Sequence, residues 1–346
     1  MGRRRKSGWL VSLLTLCLLY PVSVLPAQAT TSAPLFTTSH YVNNLTGNSD
    51  TDTGYWSRQG QTDAATGRSG IVVLDFGAET QPPYPTADWT HWSTKDRSGY
   101  TWSFSYDLSI AEAYVKGWYG SSTSSQSLLI GMGTNNSGFV DSTGGTAWAD
   151  LSGNFANFIT QNNYTSRVAA KSADDLEVDW SPESNGVSWM QGYSNEYAAY
   201  ASVPAIYDHG DAAGCPTSGT NASTGDAACQ GQYNTWHQST LYQVAYGLAA
   251  SYALPQMYTT NGQQAQQWQQ ISLWGYINKG NAIGFALSGA LTQSQACTDR
   301  GCPTGTNNTA DQGWTQLYNA VNCISPAYAT CNTTSAVGYS VDIKWN

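Results

Sequence analysis

The chain is expected to be an α/β protein, a (β/α)8 TIM-like barrel with disulfide-stapled loop insertions. Three observations predict this. Helix-patterned and strand-patterned segments alternate along most of the sequence, as in a parallel sheet with helices outside it. Strand segments such as Ile71-Val72-Val73-Leu74 are continuous apolar runs, as strands buried on both faces must be. Polar residues recur where those runs end, and barrels collect their chemistry at the carboxyl ends of their strands. A doubly wound open sheet is the alternative, but no glycine-rich phosphate turn follows the first strand.

The start of the chain is not part of this pattern. Arg3, Arg4, Arg5 and Lys6 precede an apolar stretch from Trp9 to Tyr20, and Ala27-Gln28-Ala29 offers a small-x-small cleavage site. Together they predict a secretory signal peptide over residues 1–29 and an extracellular location. Cys17 sits inside the apolar run behind bulky Leu16, a poor place for lipid attachment. No later segment approaches the ~20 apolar residues of a membrane span. The expected plan is an N-terminal extension over 30–64, a barrel over 65–322 and a disulfide-stapled tail over 323–346.

The elements follow in order. His40-Tyr41-Val42 is a candidate strand, and Ile71 to Gly77 is a buried strand ending in Asp75. Trp102 to Tyr106 is a second candidate strand. Ser109-x-x-Glu112 reads as a capping box opening a helix with an apolar stripe of Ala111, Tyr114, Val115 and Trp118. Leu128 to Gly133 is a strand leading into Thr134-Asn135-Asn136. Trp148, Leu151, Phe155, Phe158 and Ile159 mark a helix. Asp175 to Trp180 reads as a strand, and Val187, Met190, Tyr193 and Tyr197 mark the helix after it. Val203 to Asp208 is a strand, followed by an insertion from Gly210 to Gly231. A helix at Trp236 to Leu248, a strand at Leu254 to Tyr258, a helix at Ala265 to Trp274, a strand at Ala282 to Leu287 and a helix at Thr309 to Val321 complete the series. The tail is expected to form short antiparallel strands.

Charge and cysteines narrow the class. Without the signal, ten basic residues face 23 acidic ones, a net charge of −13. Such a surface argues against nucleic acid, anionic membranes and polyanionic substrates. Six cysteines remain in an oxidising compartment and fall into close pairs: Cys215 with Cys229, Cys297 with Cys302, and Cys323 with Cys331. Zinc is the competing use of cysteine. No C-x-x-C occurs and no histidine sits at ligand spacing, so no metal is expected, and no motif implies a cofactor. Asp50-Thr51-Asp52-Thr53-Gly54 has oxygen donors at alternate positions but lacks the rest of a calcium loop.

The most informative segment is Asp175-Leu176-Glu177-Val178-Asp179-Trp180. On a strand its three acids share one face and its apolar residues the other. Acids so close in a partly dry site cannot all ionise cheaply, and a carboxylic acid beside a carboxylate is the equipment of glycoside hydrolysis. The catalytic candidates are Glu177 as proton donor, Asp179 as nucleophile or base, and Asp75 as an orienting group. Asn135, Asp208, Gln256 and Tyr258, at other strand ends, are candidate substrate contacts. A serine triad is not supported, because no G-x-S-x-G elbow is present. Thirteen tryptophans after the signal favour a glycan partner, since aromatic faces stack on sugar rings, although several lie on core stripes.

Through Leu74-Asp75-Phe76-Gly77, the acidic segment and Pro255-Gln256-Met257-Tyr258, the chain resembles secreted TIM-barrel proteins of the glycoside hydrolase superfamily. The acidic segment is similar in style to the D-x-E strands of the lysozyme-like family 25 and the D-x-D-x-E strand of the chitinase-like family 18. The chitinase order ends in glutamate, where this chain has Asp179. Gln256 also stands where a hydrolase could use glutamate. The resemblance implies a monomeric secreted barrel acting on an extracellular polysaccharide or cell-wall glycan. A barrel that binds glycan without cleaving it is the alternative.

Overall fold

The computed structural model describes residues 32–84, 86–138, 140–219, 225–233, 235–279, 287–322 and 337–346. Its strands are β1 (Thr37–Tyr41), β2 (Gly70–Thr80), β3 (Ser93–Lys95), β4 (Thr101–Ser103), β5 (Leu128–Asn135), β6 (Val168–Asp175), β7 (Ile206–Asp208), β8 (Ser251–Ala253), β9 (Gly289–Thr292) and β10 (Tyr339–Trp345). Eight run parallel, in the order β8-β7-β6-β5-β2-β1-β10-β9. The ring closes just beyond β8. There Ser288 N–H donates to the Ala253 carbonyl at 2.8 Å and Met257 N–H to the Leu291 carbonyl at 2.7 Å. The expected α/β barrel is therefore the fold, with β3 and β4 as an antiparallel hairpin extending β2.

The barrel uses more of the chain than 65–322. Thr37–Tyr41 pairs in parallel with Val341–Trp345, so the supposed N-terminal extension and tail supply two adjacent barrel strands. The tail segment is thus parallel, not antiparallel. Trp102 to Tyr106 is not a barrel strand: Thr101–Ser103 lies in the hairpin, and Ser103 caps the following helix by accepting from Tyr106 N–H. That helix starts at Phe104, so Ser109-x-x-Glu112 lies inside it and is no capping box. The ninth strand is Gly289–Thr292; residues 282–286 lie outside the described residues, as do the signal segment and the Cys323–Cys331 pair. Cys215–Cys229 and Cys297–Cys302 are disulfides.

The helices are α1 (Ser49–Ala65), α2 (Phe104–Ser121), α3 (Ser142–Gln161), α4 (Glu183–Ala199), α5 (Gln238–Tyr242), α6 (Gln263–Lys279), α7 (Ser294–Arg300) and α8 (Ala310–Val321). The Asp50–Gly54 segment is the start of α1 rather than a calcium loop. Asn48 caps it, and Asp52 accepts from Thr46 N–H, Thr46 Oγ1, Gly47 N–H and the Tyr106 hydroxyl. Among the described residues no helix is long and apolar enough to cross a membrane.

Strand alternation divides the apolar residues into two layers. Ile71, Val73, Ala173, Tyr207, Leu291, Val341 and Ile343 fill the barrel interior. Val72, Leu74, Phe76 and Ile130 face outward onto the helices, against Trp118, Trp148, Phe155 and Tyr193. Among the described residues nine tryptophans are buried, so most of the indole abundance is core rather than sugar-binding surface. Outside the barrel, α1 and α2 meet backbone to backbone. A Cβ on Gly60 would lie 2.1 Å from the Tyr114 carbonyl oxygen, and one on Gly117 1.9 Å from that of Ser57. Helices α3 and α4 repeat this contact through Gly145, against Trp189, and Gly192, against Ser142.

This close approach predicts a large cost for a single methyl. Gly117→Ala should destabilise the protein by at least ~1–3 kcal/mol, the usual penalty of overpacking, because the obstructing atom is backbone. Urea unfolding of the purified variant reads this directly, and an unchanged midpoint would show that α1 and α2 do not touch this closely.

Candidate active site

The acidic segment is not a strand along its length. β6 stops at Asp175, and Leu176 to Trp180 forms the turn-rich loop beyond it. The alternation that would align Asp175, Glu177 and Asp179 therefore fails after its first member. What places Glu177 is its backbone. Asn136 accepts from Glu177 N–H at 3.0 Å and donates to its carbonyl at 2.9 Å, so one amide does the work of a neighbouring strand. On the other flank Gly210 lies against Leu176, where a Cβ would meet the Leu176 carbonyl oxygen at 2.1 Å.

At the barrel mouth Tyr41 and Asp175 end their strands pointing inward, and Asp75, paired in register with Tyr41, does the same before β2 runs on to Thr80. Asp75 Oδ1 accepts from Gly77 N–H at 2.7 Å, and its Oδ2 has no hydrogen-bond partner. Gln256 bridges two acids, donating from Nε2 to Asp175 Oδ1 at 2.6 Å and to Glu177 Oε1 at 2.9 Å. Its amide thereby ties the two carboxyls together at the mouth. Tyr258 sits opposite Tyr41, with hydroxyls 3.5 Å apart.

Sequence patterning did not mark Arg97, which occupies the centre of this group. It sits in the turn between β3 and β4. Asp96 shapes that turn by accepting from Ser98 N–H, Tyr100 N–H and the Trp102 indole. The hairpin can lie over the mouth because Gly77, at φ +90°, carries no Cβ; one would stand 2.3 Å from the Lys95 carbonyl oxygen. The guanidinium covers the Tyr41 ring at 4.3 Å. Its Nη2 lies 3.5 Å from Asp75 Oδ2 and 3.6 Å from Asp175 Oδ2.

Two cavities meet at Arg97. One, of about 290 Å³, is lined by Tyr41, Glu177, Asp211, Gln256, Tyr258 and Arg300 among others. The other, of about 530 Å³, is lined by Glu79, Asn135 and Trp180 among others. Glu177, Gln256 and Tyr258 thus converge as expected, Asp75 lies beneath them, and Asn135 faces the adjoining cavity. Asp179 and Asp208 are not brought to the cavities. Asp179 Oδ1 accepts from Gln232 N–H at 2.5 Å and ties down the long insertion. Tyr207 belongs to the interior, so strand alternation turns Asp208 outward beneath the helices, paired in register with Asp174.

The chain adds Asp211, Arg97 and Arg300, all from loops or loop-side helix ends where no periodicity operates. For the two arginines the one sequence signal is scarcity: basic residues are few, and Arg300 lies between the close cysteines Cys297 and Cys302. Among the described residues no group of three or more His, Cys, Asp or Glu side chains could hold a metal ion.

Desolvation governs protonation here. Burial pushes Glu177 up to about 8, helped by the Asp211 charge. Burial also raises Asp211, to about 6. Asp175 is raised well above the usual carboxylate range by burial and then by Glu177 and Asp75, against the opposing pull of Arg97. His209, buried with neither ring nitrogen hydrogen-bonded, is lowered to about 4 and is neutral. Its Nδ1 stands 3.9 Å from Asp175, beyond a hydrogen bond.

No protein-family model and no curated protein matches this chain. Among solved structures, the apo homocysteine methyltransferase MmuM from Escherichia coli is similar at a TM-score of 0.37 and 7% identity, over 84% of this chain and 97% of that one. A likeness of that degree carries no argument about chemistry.

The outward pair predicts pH-dependent stability. Asp174 has neither carboxyl oxygen hydrogen-bonded; burial, then the Asp208 and Glu79 charges, raises it well above its ordinary value. Burial raises Asp208 to about 7. The folded protein keeps protons that the unfolded chain releases near the ordinary value of ~3.9, so this pair lowers stability as pH rises from there. For Asp208 the loss levels off above about 7. Wild type should melt at a lower temperature at about pH 8 than at about pH 5, and Asp208→Asn should shrink that difference. Equal differences in the two proteins would mean that Asp208 is solvated.

Proposed function

We propose that this protein is a secreted, monomeric glycoside hydrolase that acts on an extracellular polysaccharide or cell-wall glycan by paired-carboxylate acid/base catalysis. The observation that carries the proposal is the cavity wall shared by Glu177, pushed up to about 8, and Asp211, pushed only to about 6. Two carboxyls whose environments hold them at different protonation states can divide the roles of acid and base. The basic, then apolar N-terminus and the two disulfides support secretion.

In this mechanism Glu177 gives its proton to the glycosidic oxygen of the departing sugar. Asp211 acts from the same cavity on the anomeric carbon, directly or through water, and takes the role that strand alternation had assigned to Asp179. Asn136 fixes the backbone of the acid, and Gln256 fixes its carboxyl. Asp75 and Arg97 set the field beneath it. Positive charge developing on the sugar ring is stabilised by the ionised partner.

Glu177→Gln keeps the shape and removes the donated proton, so turnover should fall by ~10²–10⁴-fold while binding persists. Asp211→Asn should cause a comparable loss and Asp179→Asn a small one. A screen of β-glucan, chitin and peptidoglycan fragments with all four proteins measures this. Undiminished turnover by Glu177→Gln rejects the assignment, and binding without turnover in wild type favours a non-catalytic glycan-binding barrel. The pH profile is an independent check. Activity should fail as pH drops through about 6, when Asp211 takes a proton, and as it rises through about 8, when Glu177 loses one. Activity that stays undiminished well below about 6 and well above about 8 would exclude the pair.

A further inference from the structure

The smaller cavity has an arginine at its base and another at its rim. Arg97 is largely buried, and Arg300, at the last residue of α7, is exposed. Both guanidiniums approach the single ring of Tyr41, Arg97 at 4.3 Å and Arg300 at 5.9 Å. Arg300 also covers Trp345 at 4.0 Å. Its position is built: the Cys297–Cys302 disulfide spans it, and Gly301 turns the chain back at φ +76°.

The two arginines differ in what balances them: Arg97 stands between Asp75 and Asp175. Among the described residues Arg300 has no carboxylate within 4.0 Å. The ion-pair contacts of Arg97, at 3.5 and 3.6 Å, are longer than charge-assisted hydrogen bonds at ~2.7–2.9 Å, and among the described residues its buried Nε has no hydrogen-bond partner. Burial pushes Glu177 up to about 8, so at neutral pH it adds no negative charge to the cavity wall. An acidic protein thus presents, at the rim of the pocket beside its proposed proton donor, an arginine with no carboxylate within 4.0 Å among the described residues. At about 290 Å³ the pocket falls just under the ~300–1,000 Å³ range of ordinary ligand sites, which suits one sugar ring.

We propose that this pocket is a subsite for a sugar bearing a carboxylate, with Arg97 and Arg300 as the specificity-determining residues. The substrate class is then a heteroglycan with isolated acidic sugars, either uronic acids or sugars with a carboxylated ether. The inference rests on the glycoside hydrolase reading of the same cavity. The charge of −13 outside the signal repels a polyanionic chain, while the pocket accepts one anionic ring at a time. The carboxylate meets the Arg300 fork at the rim, and the ring packs toward Tyr41 and Tyr258.

The test measures binding, so it does not depend on turnover. Glucose, glucuronate, N-acetylglucosamine and N-acetylmuramate are titrated into wild type, Glu177→Gln, Arg300→Gln and Arg300→Lys at low ionic strength, with inorganic sulfate as a bare anion. Wild type and Glu177→Gln should bind one acidic sugar at least about tenfold more tightly than its neutral counterpart, and the better of the two identifies the source of the carboxylate. Arg300→Gln should lose that preference. Arg300→Lys, which keeps the charge without the fork, should retain part of it. Equal binding of acidic and neutral sugars, no binding of either, a preference that survives Arg300→Gln, or sulfate binding as tightly as the acidic sugar would overturn the subsite. Turnover of a neutral glucan without acidic preference would overturn it and leave the hydrolase reading standing. Acidic preference without turnover of any glycan would do the reverse.

Discussion

The pairing of β1 with β10 is the constraint on which the rest depends. Thr37 to Tyr41 runs beside Val341 to Trp345 for five residues, joining the two ends of the chain in the middle of the sheet. Without that seam the remaining strands form an open sheet with two unpaired edges, which exposes backbone and apolar surface. The same seam ends in Tyr41 and Trp345, whose rings lie 5.3 Å apart. Arg97 rests on the first and Arg300 on both. Barrel closure and the aromatic floor under the two arginines are one interaction.

A second constraint is the cost of dehydrating carboxyls. The barrel buries Asp75, Asp174, Asp175 and Asp208, with Glu177 nearly enclosed at the mouth. Keeping them all ionised there is more expensive than keeping protons on some. The chain sorts them by side of the strand. Asp174 and Asp208 face the helices with little hydrogen bonding, where raised values only cost stability above acidic pH. Asp175 and Glu177 face the mouth, where one amide, Gln256, bonds to both. The same physics produces a liability on one face and, on the other, a cavity carboxyl pushed up to about 8.

Legibility from sequence followed periodicity. Ile71 to Asp75 and Leu128 to Gly133 were readable because a strand buried on both faces must be apolar throughout, and the stripes of α3 and α4 were readable at helical spacing. The seam strands were readable only at His40 and Tyr41, the two residues that the candidate strand His40-Tyr41-Val42 shares with β1. Thr37 to Tyr41 carries Thr, Ser and His, and Tyr339 to Trp345 carries Asp and Lys, so neither looks like barrel interior. Their polarity has partners: His40 meets Asp63 at 2.7 Å, and Asp342 accepts from Thr292, Ser294 and Gln295. Such partners come from distant sequence and leave no local pattern.

The site shows the same limit from the other direction. Period-two spacing correctly put Asp75 and Asp175 inside, and then extended its own rule past the end of β6. Beyond Asp175 the backbone is held by Asn136 and Gly210 rather than by a ladder, so side chains no longer alternate. Glu177 still reaches the cavity because Asn136 satisfies its backbone from the side. Asp179, two residues on, binds Gln232 N–H and serves the insertion. The second carboxyl at the cavity comes instead from Asp211, at the foot of that insertion, where Asp211 Oδ1 accepts from Ala213 N–H at 3.1 Å. The acid pair is therefore assembled by two loops from neighbouring strands. A barrel whose strands end in individually braced loops can change either carboxyl without disturbing the sheet that positions both.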